Sequence, residues 1–284
     1  MTTLPKIFIF GAGAVGEHVL YLTRTQKRYQ VIAFLDNDKS KWGHDFNGLP
    51  VCDPKFILET DYDKIIVASQ AGVVSITEQL LGLGVSRNKI CTEYVDFTVK
   101  SRIIFLEKLG ELFREQNIRG SMAECGVFQG EFAREINRVF PNNKLYLFDT
   151  FCGFDGRDIV IEHKNRYSAL GEGHFKITSE EMVTSKMLYP DMCITRKGYF
   201  PETTKDLEGE TFCFVNLDFD LYQPTVAGLE YFVPRMTEGG VILIHDYFCE
   251  AFKGIKEAVA NFDLKAKGLK LLPIGDGISV AIHF

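Results

Sequence analysis

No two of the seven cysteines (Cys52, Cys91, Cys125, Cys152, Cys193, Cys213 and Cys249) stand in a C-x-x-C spacing. That excludes a zinc ribbon and a disulfide framework, and it predicts a reducing, cytoplasmic setting. No apolar run approaches the roughly 18 residues of a membrane-spanning helix, and a basic n-region followed by an apolar h-region is lacking at the N-terminus. Neither a span nor secretion is expected. The basic residues form no long run or stripe and the net charge is −6, so no nucleic-acid footprint is indicated. Low-complexity tracts and internal repeats are also missing. What is there is 284 residues, 46% hydrophobic, enough for one large globular domain or two ordinary ones.

Lys6 to Phe10 is a continuous apolar run, as expected of a strand buried on both faces. Gly11-Ala-Gly13-Ala-Val-Gly16 follows, then a helix-like segment to about Thr23, then a second apolar run, Val31 to Leu35, closing on Asp36. This is G-x-G-x-x-G in its proper context, with an acid where a ribose would be held. A third run, Lys64 to Ala68, closes on Ser69-Gln70, with a helix pattern from Val73 to Leu83. The unit stops near Tyr94, so about half of a dinucleotide domain is expected, over residues 1–95. It binds a nucleotide, or serves as a degenerate docking module. Residues 96–121 read as a linker and packing helix, with Ile103, Ile104, Leu106, Leu109, Leu112 and Phe113 at helical spacing.

A second α/β region is expected over 122–284. A short apolar run ends in Glu124, turns through Gly126 and Gly130 into a helical pattern, and a second run, Leu145 to Phe148, ends in Asp149. The glycines allow close approach of backbone to a ligand, and the acid can hold two ribose hydroxyls. Further strands are expected at about 192–196, 212–217 and 240–244, with a hairpin formed by Lys270–Ile274 and Ile278–Phe284 around Gly275-Asp-Gly277. The long, polar, aromatic-dotted stretch from Asp155 to Tyr189 reads as a lid over the strand ends.

Asp218 and Asp220 fall at the end of the fourth of these strands, and His245 and Asp246 at the end of the fifth. Parallel neighbours lie about 4.8 Å apart, so these side chains can converge. Asp218, Asp246 and either Asp220 or His245 would suit Mg²⁺ or a similar hard divalent ion. Asp220 or His245 could take a proton from an alcohol.

Five ordered motifs carry a resemblance: Glu124-Cys-Gly-Val-Phe-Gln-Gly130, Asp149-Thr-Phe-x-Gly-Phe154, Gly198-Tyr-Phe-Pro-Glu-Thr203, Leu217-Asp-Phe-Asp-Leu-Tyr-Gln-Pro-Thr225 and Gly239-Gly-Val-Ile-Leu-Ile-His-Asp-Tyr247. Together they resemble the macrocin O-methyltransferase family over about residues 100–284. The resemblance implies an α/β fold of the class I methyltransferase kind, a Rossmann-like sheet of five parallel strands plus a terminal β-hairpin, preceded here by the smaller Rossmann-like domain. It implies transfer of a methyl group from S-adenosylmethionine (SAM) to a sugar hydroxyl, assisted by a divalent metal. Glu124, Gly126, Val127, Phe128, Gly130, Asp149, Thr150, Phe151 and Asp218 would bind SAM, and Asp218, His245 and Asp246 the metal, with Asp220 and His245 as the catalytic candidates. Two departures stand out. The family commonly has two adjacent acids where this chain has His245-Asp246, and the lysine base of related catechol-type enzymes falls on Leu221. The first domain resembles nucleotide-binding domains of polysaccharide-biosynthesis proteins, which places a nucleotide at Gly11, Gly13, Gly16 and Asp36. The partner expected is a sugar or nucleotide-sugar, in a protein compatible with homo-oligomerisation. The alternatives are an NAD(P)-dependent nucleotide-sugar reductase or epimerase using the first domain, and a non-catalytic nucleotide sensor.

Overall fold

The computed structural model describes residues 4–69 and 72–284, so Gln70, where the third apolar run was expected to close, lies outside the described residues. The chain divides into two compact units, one through Lys100 and one from Ser101 to Phe284.

The first unit contains β1 (Lys6–Phe10), α1 (Ala14–Gln26), β2 (Gln30–Leu35), β3 (Asp45–Phe46), β4 (Leu49–Cys52), β5 (Lys64–Val67), α2 (Val73–Gly82) and β6 (Ile90–Cys91). Sheet order is β3-β4-β2-β1-β5-β6, and every pairing except β3–β4 is parallel. Counting only the parallel strands, the order is third, second, first, fourth, fifth, which is that of a nucleotide-binding sheet. The sheet is therefore wider than the half-domain expected from sequence. Strands β4 and β6 span four and two residues, too few for a periodic pattern to register.

Helix α3 (Glu93–Gln116) carries the boundary between the units. The second unit continues with β7 (Ser121–Cys125), α4 (Glu131–Val139), β8 (Leu145–Asp149), α5 (Gly156–Asn165), α6 (Glu180–Thr184) and β9 (Cys193–Lys197). It closes with β10 (Phe212–Leu217), α7 (Tyr222–Phe232), β11 (Met236–Ile244), α8 (Lys253–Asn261), β12 (Leu271–Pro273) and β13 (Val280–His283). Sheet order is β12-β13-β11-β10-β7-β8-β9, with β13 antiparallel to both neighbours and the five strands from β11 to β9 in that order parallel.

Successive strand residues enter opposite cores. Leu145 and Leu147 join one cluster and Tyr146 and Phe148 the other, as do Val241 and Leu243 against Ile242 and Ile244. One cluster takes in α3 and α4 through Leu106, Leu109, Phe132 and Ile136, the other α7 and α8 through Leu229, Phe232, Ile255 and Val259. Both faces of the sheet are thus covered, which is why most of its strands read as apolar runs rather than alternating ones, Glu124 and Asn216 being buried polar exceptions within β7 and β10. The two-sided burial leaves the C-terminal strand ends as the place where polar side chains can gather.

Candidate active site at the strand ends

The loops after β7, β8, β10 and β11 meet at the C-terminal edge of the second sheet, stitched to one another by main-chain hydrogen bonds. Gly126 N donates to Phe148 O (2.8 Å), Asp218 N to Cys125 O (2.8 Å), and His245 N to Leu217 O (3.0 Å). Gly126 has φ +83°, and any side chain there would collide with the Asp218 carbonyl oxygen. That contact presses the glycine turn onto the acidic loop. Each of the four loops also carries a non-glycine residue in the left-handed region: Phe128, Phe151, Asp220 and Asp246 (φ 48–64°). Strain of this kind persists only where surrounding structure over-determines it, and it collects at functional sites.

Asp149, at the end of β8, accepts from Phe128 N through Oδ2 (2.9 Å) and from Phe151 N through Oδ1 (2.7 Å). Burial raises its pKa against the pull of those hydrogen bonds. Val127 and Phe151 are buried in the core, where they shape the turn, and the Thr150 hydroxyl donates to Gly153 O (2.7 Å). Gly130 is the N-cap of α4 at φ +84°, packed on Val183 of the segment expected to be a lid. That segment covers the glycine turn: Gln129 Nε2 donates to Ile177 O (2.9 Å), Lys186 Nζ to Gln129 O (2.6 Å), and the Thr178 hydroxyl to Phe128 O.

Glu124 lies beneath the turn, 2% exposed, facing Asn216 Nδ2 at 3.5 Å with its Oε2 unpartnered. Burial pushes its pKa well above the carboxylate range, despite the nearby charge of Arg102.

Asp218, His245 and Asp246 each bring one ligand-type atom within 4.8 Å of the others. His245 Nδ1 is 2.8 Å from Asp218 Oδ1 and 3.1 Å from Asp246 Oδ2, yet it is buried and makes no aligned hydrogen bond. An orphaned buried nitrogen between two carboxylate oxygens fits a cation-binding set. Donor separations near 3 Å also suit neighbouring ligands of a small octahedral ion with bonds of about 2.1 Å. Burial lowers the His245 pKa, but the Asp218 and Asp246 charges outweigh it and push it up to about 10. Asp220 is driven well above the carboxylate range by burial and by those same two acids.

The helix read from sequence as packing only supplies Arg102 to this cluster: its Nη1 lies 3.3 Å from Asp218 Oδ2 and its guanidinium stacks on Phe132 at 3.7 Å. A signal was present in the sequence. Arg102 falls on the stripe of Leu106, Leu109 and Phe113, all buried, so a charge occupies the apolar face of α3. Conversely Ile104 and Leu112, assigned to that face, are exposed.

Gly11, Gly13, Gly16 and Asp36 form a constellation of their own in the first unit. Gly16 packs directly on the Gly11 carbonyl, and Gly11 (φ +120°) on Ala68 O, whereas Gly13 faces open space. Asp36 accepts from Ala12 N (2.9 Å) and Asp38 N (2.8 Å) and pairs with Lys41 Nζ (3.0 Å), so its acceptors are largely taken up by its own loop.

Among the described residues, no helix is long and apolar enough to cross a membrane. A family model described as macrocin-O-methyltransferase (TylF) matches residues 92–274, well over half the chain, and one described as C2185-like, N-terminal, matches residues 3–91. The chain is 24% identical over 182 residues to 8-demethyl-8-(2,3-dimethoxy-alpha-L-rhamnosyl)-tetracenomycin-C 4'-O-methyltransferase of Streptomyces olivaceus, covering 57% of this chain and 70% of that protein. It is 26% identical over 168 residues to demethyldecarbamoylnovobiocin O-methyltransferase of Streptomyces niveus, covering 52% of this chain and 61% of that protein. Among solved structures, the O-methyltransferase NovP aligns at TM-score 0.53 and 22% identity over 64% of this chain and 79% of its own. The calicheamicin methyltransferase CalS11 aligns at TM-score 0.55 and 17% identity over 75% and 92%. Sheet order, strand-end acids and the matched family model agree: this chain belongs to the macrocin-O-methyltransferase family of O-methyltransferases.

Proposed function

We propose that the protein transfers the methyl group of SAM to a hydroxyl of a sugar, one that is nucleotide-linked or part of a surface glycan or natural product, with a divalent cation at Asp218, His245 and Asp246. The convergence of those three side chains under the glycine turn carries this reading. The rhamnosyl group in the name of the Streptomyces olivaceus relative supports a sugar acceptor. Membership of the family overrides the oxidoreductase and sensor alternatives.

In this reading Asp149 receives the ribose hydroxyls, and Gly126 and Gly130 let the donor lie against the backbone. A sulfonium methyl is already electrophilic, so the protein's task is to align the acceptor oxygen with the S–CH₃ bond and remove its proton. A bound cation would lower the pKa of that hydroxyl. Asp220, which lies against Asp246, is the proton acceptor, and a bound cation beside it would favour the ionised form that a base needs. His245, held between two carboxylates, serves as ligand rather than base, giving up on cation binding the proton that those carboxylates favour. Residues 1–95 bind a nucleotide, and residues 122–284 perform the transfer.

The test is a methyl-transfer assay with nucleotide-linked deoxysugars, read by mass. Asp218→Ala should cut turnover by about 10³-fold or more while S-adenosylhomocysteine still binds. Undiminished turnover in that variant would reject the metal-assisted reading.

A further inference from the structure

Arg102 presents a guanidinium that the strand-end acids do not use up. Among the described residues, the contact of Nη1 with Asp218 Oδ2 at 3.3 Å is the one hydrogen bond given to its five N–H donors. Its plane is fixed against the Phe132 ring at the start of α4, and the side chain is 13% exposed, so the remaining donors are held in place and still accessible. We propose that Arg102 binds the carboxylate at the amino-acid end of the methyl donor, an assignment that rests on the methyl-transfer reading above.

The position follows from the order of the strands. The ribose acid Asp149 ends β8, the glycine turn follows β7, and the Asp218 loop follows β10, so the three lie side by side along the sheet edge. Two inter-strand steps span about 10 Å, the reach of a molecule whose ribose, sulfur and amino-acid arm follow one another. With ribose at Asp149, the sulfur lies over Gly126 and the arm ends beside Asp218, where Arg102 stands. The arm is a zwitterion. An arginine paired with an aspartate presents one charge of each sign to it, and a planar guanidinium accepts a carboxylate in two parallel hydrogen bonds. The strand-end acids alone would repel that carboxylate.

Calorimetry on the full chain, with metal chelated, compares S-adenosylhomocysteine with 5′-methylthioadenosine, which keeps the nucleoside and sulfur but lacks the amino-acid arm. Arg102→Ala should weaken S-adenosylhomocysteine by at least about tenfold and leave 5′-methylthioadenosine within about threefold. Arg102→Lys, which keeps the charge and loses the fork, should fall between wild type and Arg102→Ala and provides the same comparison should the alanine variant fold poorly. Equal loss for both ligands, or loss for neither, would overturn the assignment. If wild type binds neither ligand, the methyl-transfer reading itself fails, and the role of Arg102 with it.

Discussion

Glu162 Oε1 accepts the main-chain N–H of Tyr222 at 2.7 Å, so a carboxylate on α5 caps the first turn of α7, two residues after Asp220. Leu221, the N-cap residue, supplies no side-chain acceptor of its own. Glu162 is fully buried, its Oε2 has no partner, and burial raises its pKa. Glu162→Ala removes the acceptor and leaves a buried N–H unpaired, a loss of about 1–3 kcal/mol. Glu162→Gln keeps the acceptor without the charge. The alanine variant should therefore lose thermal stability and kcat, with the glutamine variant restoring both. Because an acid with a raised folded pKa favours the native state less once pH exceeds its unfolded value, Glu162→Gln should equal or exceed wild type in melting temperature at pH 8.

The donor set predicts a metal preference. Imidazole in place of a third carboxylate removes one negative charge and favours ions softer than Mg²⁺, such as Mn²⁺ or Co²⁺. Chelation should abolish turnover, and Mn²⁺ should restore it at lower concentration than Mg²⁺. His245→Asp should reverse that order. Activity titrations with each ion after chelation check both statements.

Three glycines separate structural need from openness to a ligand. Gly126→Ala places a side chain on the Asp218 carbonyl at φ +83° and should abolish activity while lowering stability by about 2 kcal/mol or more. Gly16→Ala should likewise destabilise the first unit, since a Cβ there meets the Gly11 carbonyl. Gly13 is extended (φ −149°) and open, so Gly13→Ala should leave the melting curve unchanged and weaken only nucleotide binding. Thermal unfolding of the three variants, followed by nucleotide titration of the third, distinguishes these outcomes.

Glu210 predicts an acid-sensitive strand edge. Burial opposes its charge, but hydrogen bonds from the Ser121 and Tyr146 hydroxyls, both 2.7 Å, and the Lys144 charge outweigh it, so its pKa is lowered. Tyr146 is pushed up to about 12 by burial and by the same pairing. A depressed carboxylate pKa stabilises the fold above the unfolded value of 4.5, and that contribution is lost as pH falls through the folded value. Glu210→Gln should cost about 1 kcal/mol at pH 7 and progressively less as pH falls below 4.5. Denaturant unfolding of both proteins across a pH series from 7 downwards measures the trend.

The strands of the second unit, its terminal hairpin and the acids at its strand ends were legible because each is a local pattern. A run buried on both faces is continuously apolar, and the residue that ends it is the first free to be polar. Asp149, Asp218 and His245 follow from that rule. The width of the first sheet was not legible, because β4 and β6 gain their identity from pairing with neighbours and not from any period of their own.

Side-chain partnership was decided by the tertiary structure alone. Arg102 and Asp218 are 116 residues apart, and Glu162 and Tyr222 are 60 apart. Whether Asp36 faces a ligand or its own Lys41 likewise depends on how one loop folds back on another. Sequence determined which residues could be charged at the sheet edge, through the cost of burying charge within it. Folding determined which of those charges meet, since only the packing of distant elements sets the few ångströms over which such charges act strongly.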